Sequence, residues 1–290
     1  MMKILIADHY GMCFGVRDAL AAAERLAEQG PLTILGELVH NPVVRERLAR
    51  QGAQEGKLEE VGDAPTAQVM ITAHGASDVA REAWRRSGFG VADGTCPLVR
   101  HAHEQLRLLV QTGHFPVVIG KPGHVEVKGL VGDFPEAVVL ESEEGIQALP
   151  EREKFGVISQ TTQPIERVRA LVEAIRAARP QSEVQFRDTV CQPTKNRQIA
   201  LRKLIEEVDT LVVVGGYNSN NTLQLVTAGK AAGRWVFHVQ SAVELRTEWF
   251  ADSEVVGITA GTSTLKETVA EVQRKLEAIA MHRTVQSHAA

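Results

Sequence analysis

The chain has 290 residues, enough for one large domain or two or three small ones. Hydrophobic residues make up 44%, which sustains a buried core and excludes general disorder. A net charge of −4, from 32 basic and 36 acidic residues, gives no nucleic-acid footprint, and no long basic run points to a membrane surface.

The chain starts Met1-Met2-Lys3-Ile4-Leu5-Ile6, a short apolar run without the longer apolar core and cleavage site of a signal peptide. No stretch approaches the roughly 18 apolar residues that span a bilayer, so the expectation is a cytoplasmic protein with no membrane and no nucleic-acid partner. Gly11-Met12-Cys13-Phe14-Gly15-Val16 then opens a helical pattern carrying Val16, Leu20, Ala23 and Leu26 on one face. The strand Leu32-Thr33-Ile34-Leu35 leads to His40-Asn41. Val69-Met70-Ile71-Thr72 leads to Ala73-His74-Gly75 and a helix from Asp78 to Ser87, on which Arg81, Arg85 and Arg86 read as a solvated face.

The series restarts at Gly94-Thr95-Cys96-Pro97-Leu98-Val99. Pro116-Val117-Val118-Ile119-Gly120 leads to Gly123-His124-Val125-Glu126, read as a loop. Phe155-Gly156-Val157-Ile158 leads to Ser159-Gln160-Thr161-Thr162 and a helix from Ile165 to Ala178, which Thr161 or Thr162 would cap. It restarts once more at Thr189-Val190-Cys191-Gln192-Pro193-Thr194, with Asn196-Arg197 at a helix start and Ile199, Leu201, Leu204 and Ile205 following. Thr210-Leu211-Val212-Val213-Val214-Gly215 leads to Asn218-Ser219-Asn220-Asn221. Val255-Val256-Gly257-Ile258 leads to Thr259-Ala260-Gly261-Thr262-Ser263 and a helix from Leu265 to Ala280, before a frayed tail. Pro97 and Pro193 suit the first turn of a helix, where no amide donor is missed.

This threefold recurrence predicts an α/β protein, a trefoil of three βα units with small, mostly parallel sheets around a central cavity. The units run 1–95, 96–190 and 191–280, with 281–290 as the tail. Functional groups in such sheets collect beyond the carboxyl ends of the strands, so nine loops and three cysteines are expected to converge.

Three cysteines are an odd count, which argues against a disulfide framework. Thiolates are soft ligands for zinc, copper(I) or iron–sulfur clusters. Three on a four-iron cubane leave one iron open for chemistry, and a three-cysteine zinc site with bound water is the competing metal reading. His40, His74, His124, Ser219, Asn221 and Ser263 can donate hydrogen bonds, a set suited to a phosphate or diphosphate. Glu126 can act as a proton donor into the same cavity, and Thr161 can bond a substrate hydroxyl.

These segments, taken in order, make the chain resemble the LytB family of 4-hydroxy-3-methylbut-2-enyl diphosphate reductases. The resemblance runs from about Lys3 to Ala280 and rests on Gly-x-Cys-x-Gly-Val at 11–16, Val-His-Asn at 39–41, Ala-His-Gly at 73–75, Thr-Cys-Pro-Leu-Val at 95–99 and Gly-His-x-Glu-Val at 123–127. Gln-Thr-Thr at 160–162, Cys-x-x-Thr-x-Asn-Arg-Gln at 191–198, Asn-Ser-x-Asn at 218–221 and Thr-Ala-Gly-x-Ser at 259–263 complete it. It implies one 4Fe–4S cluster on Cys13, Cys96 and Cys191 with one open iron. It implies a substrate bound by His40, His74, His124, Thr161, Ser219, Asn220, Asn221 and Ser263, the diphosphate being held by His40, His74, His124, Ser219, Asn221 and Ser263, with Glu126 supplying protons aided by His124 and Thr161. The implied partners are the allylic diphosphate and a low-potential electron donor such as ferredoxin or flavodoxin. Asn220 stands where the family commonly has a second serine. Pro193 and Gly94 stand where alanine is common, Ala76 where valine is usual, and Thr262 where a smaller residue is expected. A divergent paralogue acting as a cluster-based hydro-lyase or an iron–sulfur sensor is the alternative.

Overall fold

The computed structural model describes the backbone of residues 2–39 and 41–289, and the side chains up to residue 283; His40 lies outside the described residues. In chain order the elements are β1 (Lys3–Ile6), α1 (Phe14–Gln29), β2 (Leu32–Leu35), α2 (Pro42–Arg50), β3 (Ala53–Gly56), β4 (Gln68–Ile71), α3 (Asp78–Arg86) and β5 (Gly90–Asp93). There follow α4 (Pro97–Gln111), β6 (Phe115–Ile119), α5 (Val125–Val131), β7 (Val138–Leu140), β8 (Lys154–Ser159), α6 (Ile165–Ala178) and β9 (Glu183–Phe186). The last are α7 (Gln192–Glu207), β10 (Thr210–Val214), α8 (Asn220–Ala231), β11 (Trp235–Val239), β12 (Val255–Ala260) and α9 (Lys266–Ala289).

The strands form three parallel sheets of four, in the orders β3-β2-β4-β5, β7-β6-β8-β9 and β11-β10-β12-β1. The α/β class and the threefold recurrence are therefore as expected. The grouping of the first strand is not. Residues 1–95 were expected to form one unit, yet β1 pairs with β12 in register Lys3↔Val255 to Ile6↔Ile258. Each sheet has the same strand order, and β1 fills the fourth place of the sheet that ends the chain. Pairing between the two ends of a chain leaves no local sequence mark, so a cut into contiguous thirds misses it.

The chain falls into two compact units. One comprises residues 1–13, 40–42 and 192–290 and holds the sheet of β10. Its central strand, Thr-Leu-Val-Val-Val, is buried throughout, as a parallel strand covered on both faces must be. Val212 and Val214 point to one face and pack with Ile258 of β12 and with Val269 and Leu276 of α9. Leu211 and Val213 point to the other and pack with Leu201 and Leu204 of α7 and Leu225 of α8. Helix α9 continues past Ala280, where its apolar spacing placed its end and the frayed tail began.

The other unit comprises residues 14–39 and 43–191 and holds the remaining two sheets. In the sheet of β6, Val117, Ile119, Phe155 and Val157 pack under α6, while Val118 and Ile158 pack with Leu106 and Leu109 of α4 and Leu130 of α5. Leu35, Val69 and Ile71 form the core of the sheet of β2 with Trp84 of α3, whose indole Nε1 donates to Leu58 O at 2.9 Å. Arg81 does not lie on a solvated face with Arg85 and Arg86. It is buried and its guanidinium meets Asp78, Asp93 and Thr95, because the α3 face it occupies turns toward β5.

Candidate active site

Each cysteine follows the fourth strand of its sheet and meets the start of a helix: Cys13 after β1, Cys96 after β5 and Cys191 after β9. The backbone ties are equivalent. Cys13 N donates to Thr262 O, Cys96 N to Ala73 O and Cys191 N to Thr161 O, at 3.0–3.1 Å. In every case the acceptor lies in the loop after the third strand, beside Ser263, His74 or at Thr161 itself. The same connection thus joins a cysteine to a polar loop three times. Asp93 Oδ1 accepts Thr95 N and Asp188 Oδ1 accepts Val190 N, so matching turns precede Cys96 and Cys191.

Gly15, in the first turn of α1, sits against Cys96. A side chain there would land on Cys96 Sγ, well inside van der Waals contact. None of the three cysteines is disulfide-bonded. Among the described residues no three His, Cys, Asp or Glu side chains lie together as a single-ion metal site.

In the larger unit, Glu126 lies in the first turn of α5 rather than in a loop. It is 2% exposed, against the usual solvation of glutamates. Thr161 N donates to its Oε1 at 2.6 Å and Thr161 Oγ1 to its Oε2 at 3.1 Å. Burial pushes its carboxyl up to about 7, against the two Thr161 hydrogen bonds that favour the charged form. Thr161 is therefore committed to Glu126 and caps no helix; Pro164 occupies the N-cap of α6 without a side-chain bond. His124 is the N-cap of α5, and its Nδ1 accepts Glu126 N at 3.1 Å. That bond leaves the proton of the neutral ring on Nε2, which makes Nε2 a donor. His74 meets His124 edge-on, with ring centroids 5.6 Å apart.

In the smaller unit, Ser219 caps α8 and accepts Thr222 N at 3.4 Å. Asn220 and Asn221 form the first turn and are buried. Asn221 Oδ1 accepts Thr262 N at 3.0 Å, which aims its amide NH₂ the other way, and Asn41 Nδ2 donates to Ser263 O at 2.6 Å. This helix start offers an anion backbone N–H groups, hydroxyls and amides, with no acidic residue in its own first turn. Arg197 lies within α7, is buried, and donates to Pro193 O and Gly11 O. Gly94 is explained by its neighbours, since a Cβ there would strike Ile71 O and the Met70 methyl.

Sequence reasoning missed α5 and the burial of Glu126. The only signal was the His-x-Glu spacing, which suits an N-cap histidine followed by an acidic first turn.

The family model described as LytB protein matches residues 4–277. The 4-hydroxy-3-methylbut-2-enyl diphosphate reductase of Aquifex aeolicus is 36% identical over 99% of this chain and 100% of its own. That of Geotalea daltonii is 38% identical over 96% of this chain and 98% of its own. The solved E-1-hydroxy-2-methyl-but-2-enyl-4-diphosphate reductase of Plasmodium falciparum superposes with a TM-score of 0.88, covering 94% of this chain and 87% of its own. At 24% identity that likeness speaks for the fold.

Proposed function

The chain belongs to the LytB protein family, and from that premise we propose that it removes the allylic hydroxyl of (E)-4-hydroxy-3-methylbut-2-enyl diphosphate. Two electrons and two protons enter, the C–O bond breaks, and isopentenyl or dimethylallyl diphosphate and water leave. This is the terminal step of the methylerythritol phosphate route to isoprenoids.

Cys13, Cys96 and Cys191 are the ligands in this reading. The donor set fits: three thiols, no disulfide, equivalent backbone ties, and a glycine that leaves room at Cys96 Sγ. When bound, a 4Fe–4S cluster with three cysteine ligands supplies the electrons and a Lewis-acidic open iron.

The observation that carries the proposal is the buried Glu126 carboxyl gripped by Thr161. Hydroxide is a poor leaving group and needs a proton. A carboxyl at about 7 is protonated to a useful extent near neutral pH, where an ordinary glutamate is not. Protonated at Oε2, Glu126 donates to Thr161 Oγ1, whose own hydrogen then turns to the substrate oxygen. Oε1 stays fixed by Thr161 N throughout. His124 Nε2, His74, His40, Ser219, Asn220, Asn221 and Ser263 donate to the diphosphate and so set the position of the hydroxyl. The donor is a low-potential carrier such as ferredoxin or flavodoxin, and the location is the cytoplasm. No helix among the described residues is long and apolar enough to cross a membrane.

The test is an anaerobic assay of cluster-reconstituted protein with a low-potential reductant and the allylic diphosphate. Reductant-dependent formation of the two products is expected. Turnover without reductant points to a hydro-lyase, and a lack of any turnover or diphosphate binding points to a sensor.

A further inference from the structure

The turn that feeds α8 is fastened from outside by residues that the reaction does not use. Gly215 O accepts Nε2–H of His238 at 2.9 Å. Burial holds the His238 ring below its usual pKa, so it is neutral with its proton on Nε2. Two residues on, the Tyr217 ring meets His238 edge-on at 4.6 Å between centroids. Tyr217 Oη donates to Glu244 Oε2 at 2.6 Å, and the same oxygen accepts Gln240 N at 3.1 Å. That bond pushes the phenol up to about 12, so the proton stays on Tyr217. His238 lies on β11, and Gln240 and Glu244 lie in the segment after it. The turn after the first strand is thus pinned to the second strand and its loop at Gly215 and Tyr217, just ahead of Ser219.

We propose that Tyr217 and Glu244, backed by His238, form a clasp that positions the Ser219–Asn221 turn for the diphosphate. This rests on the diphosphate reading above. Gly215 and Gly216 make the turn intrinsically loose, and each residue that must be ordered on binding weakens affinity roughly tenfold. A clasp that orders them beforehand removes that cost. Its role is local rather than global, since Tyr217 is 48% exposed and buries little surface.

The test titrates inorganic diphosphate into the cluster-loaded protein by calorimetry, with thermal midpoints measured in parallel. Wild type, Ser219→Ala, Tyr217→Phe, Glu244→Ala and Glu244→Gln are compared. Tyr217→Phe and Glu244→Ala are expected to weaken binding roughly three- to tenfold, the weight of one or two hydrogen bonds. Glu244→Gln keeps an acceptor for both donors and should stay near wild type. KM for the substrate should rise with kcat unchanged, and midpoints should stay within about 2 °C. If Ser219→Ala weakens binding while Tyr217→Phe and Glu244→Ala match wild type, the clasp is overturned and the diphosphate reading stands. If binding and midpoint fall together, the role is structural and the clasp is overturned. If wild type does not bind diphosphate, the site reading fails and the clasp fails with it.

Discussion

The two compact units present contrasting chemistry at equivalent places. After the third strand of its two sheets, the larger unit carries His74 and Thr161, and Thr161 holds Glu126 of α5, the helix after β6 that His124 caps. The smaller unit, after β10 and β12, carries amides and hydroxyls: Ser219, Asn220, Asn221 and Ser263. Proton transfer needs a titratable group moved toward working pH, which burial achieves for Glu126. Holding an anion needs donors fixed in direction, which the Asn221–Thr262 and Asn41–Ser263 bonds achieve without any titration. On the proposed reading, one repeated scaffold serves both purposes by changing a few loop residues.

The cysteines are common to both units, so their loss should have the largest effect. Serine at Cys13, Cys96 or Cys191 should remove most iron and essentially all turnover; full iron content in Cys191→Ser would end the shared-cluster proposal. Gly15→Ala tests the same point without touching a thiol. Its methyl would displace Cys96 Sγ, so iron content and the absorption near 400 nm should fall while the protein stays folded by circular dichroism.

Glu126→Gln separates the units more sharply. It keeps size and hydrogen bonding but not the acid, so kcat should fall by about 10²–10⁴ with iron and diphosphate affinity retained. The pH profile sharpens this. Wild-type kcat should be level below about 7 and fall as pH rises through it, and that limb should vanish in Glu126→Gln. Stability should follow the same group. Its folded pKa lies above the unfolded carboxylate value, so the folded state holds the extra proton between the two. The stabilisation is complete below the unfolded value and is lost as pH rises to about 7. The thermal midpoint of wild type should therefore decline relative to Glu126→Gln across that window. Parallel midpoints would show that Glu126 is not perturbed.

The cysteines, the paired polar loops and the six strands that carry them were legible because buried parallel strands are continuous apolar runs ending in polar loops. The fourth strands were not. Glu183–Phe186 and Gly90–Asp93 are short, partly exposed edges with polar residues, and β1 finds its partner only at the far end of the chain. Arg81 was misread because three arginines at mixed helical spacing look alike until the fold turns one inward. Glu126 was legible as a candidate but not as a buried acid, since burial depends on Thr161, 35 residues away.

In the smaller unit, Asn221→Ala removes one amide donor and the bond that holds Thr262 N. Loss of one charge-assisted bond of about 1.5–3 kcal/mol should weaken substrate binding roughly 10- to 100-fold, with kcat at saturation and the cluster spectrum little changed. Unchanged KM would take Asn221 out of the anion pocket and leave the contrast between the units without its second half.

The smallest effect is expected for Thr161→Ser, and a second substitution at the same position separates backbone from side chain. Thr161 does three jobs through three groups: its N–H fixes Glu126 Oε1, its C=O fixes Cys191 N, and its hydroxyl faces Glu126 Oε2. The first two survive any side chain that preserves the backbone. Thr161→Ser also keeps the hydroxyl and loses only a buried methyl, which costs about 1 kcal/mol of stability. Its kcat should stay within a few-fold of wild type, with a slightly lower midpoint. Thr161→Val keeps shape and both backbone bonds but removes the hydroxyl between Glu126 and the substrate oxygen. It should lose about 10²-fold or more in kcat while keeping its iron, because Cys191 is held by the carbonyl. If valine turns over like serine, the hydroxyl carries no proton, and Glu126 must reach the leaving oxygen directly or through water.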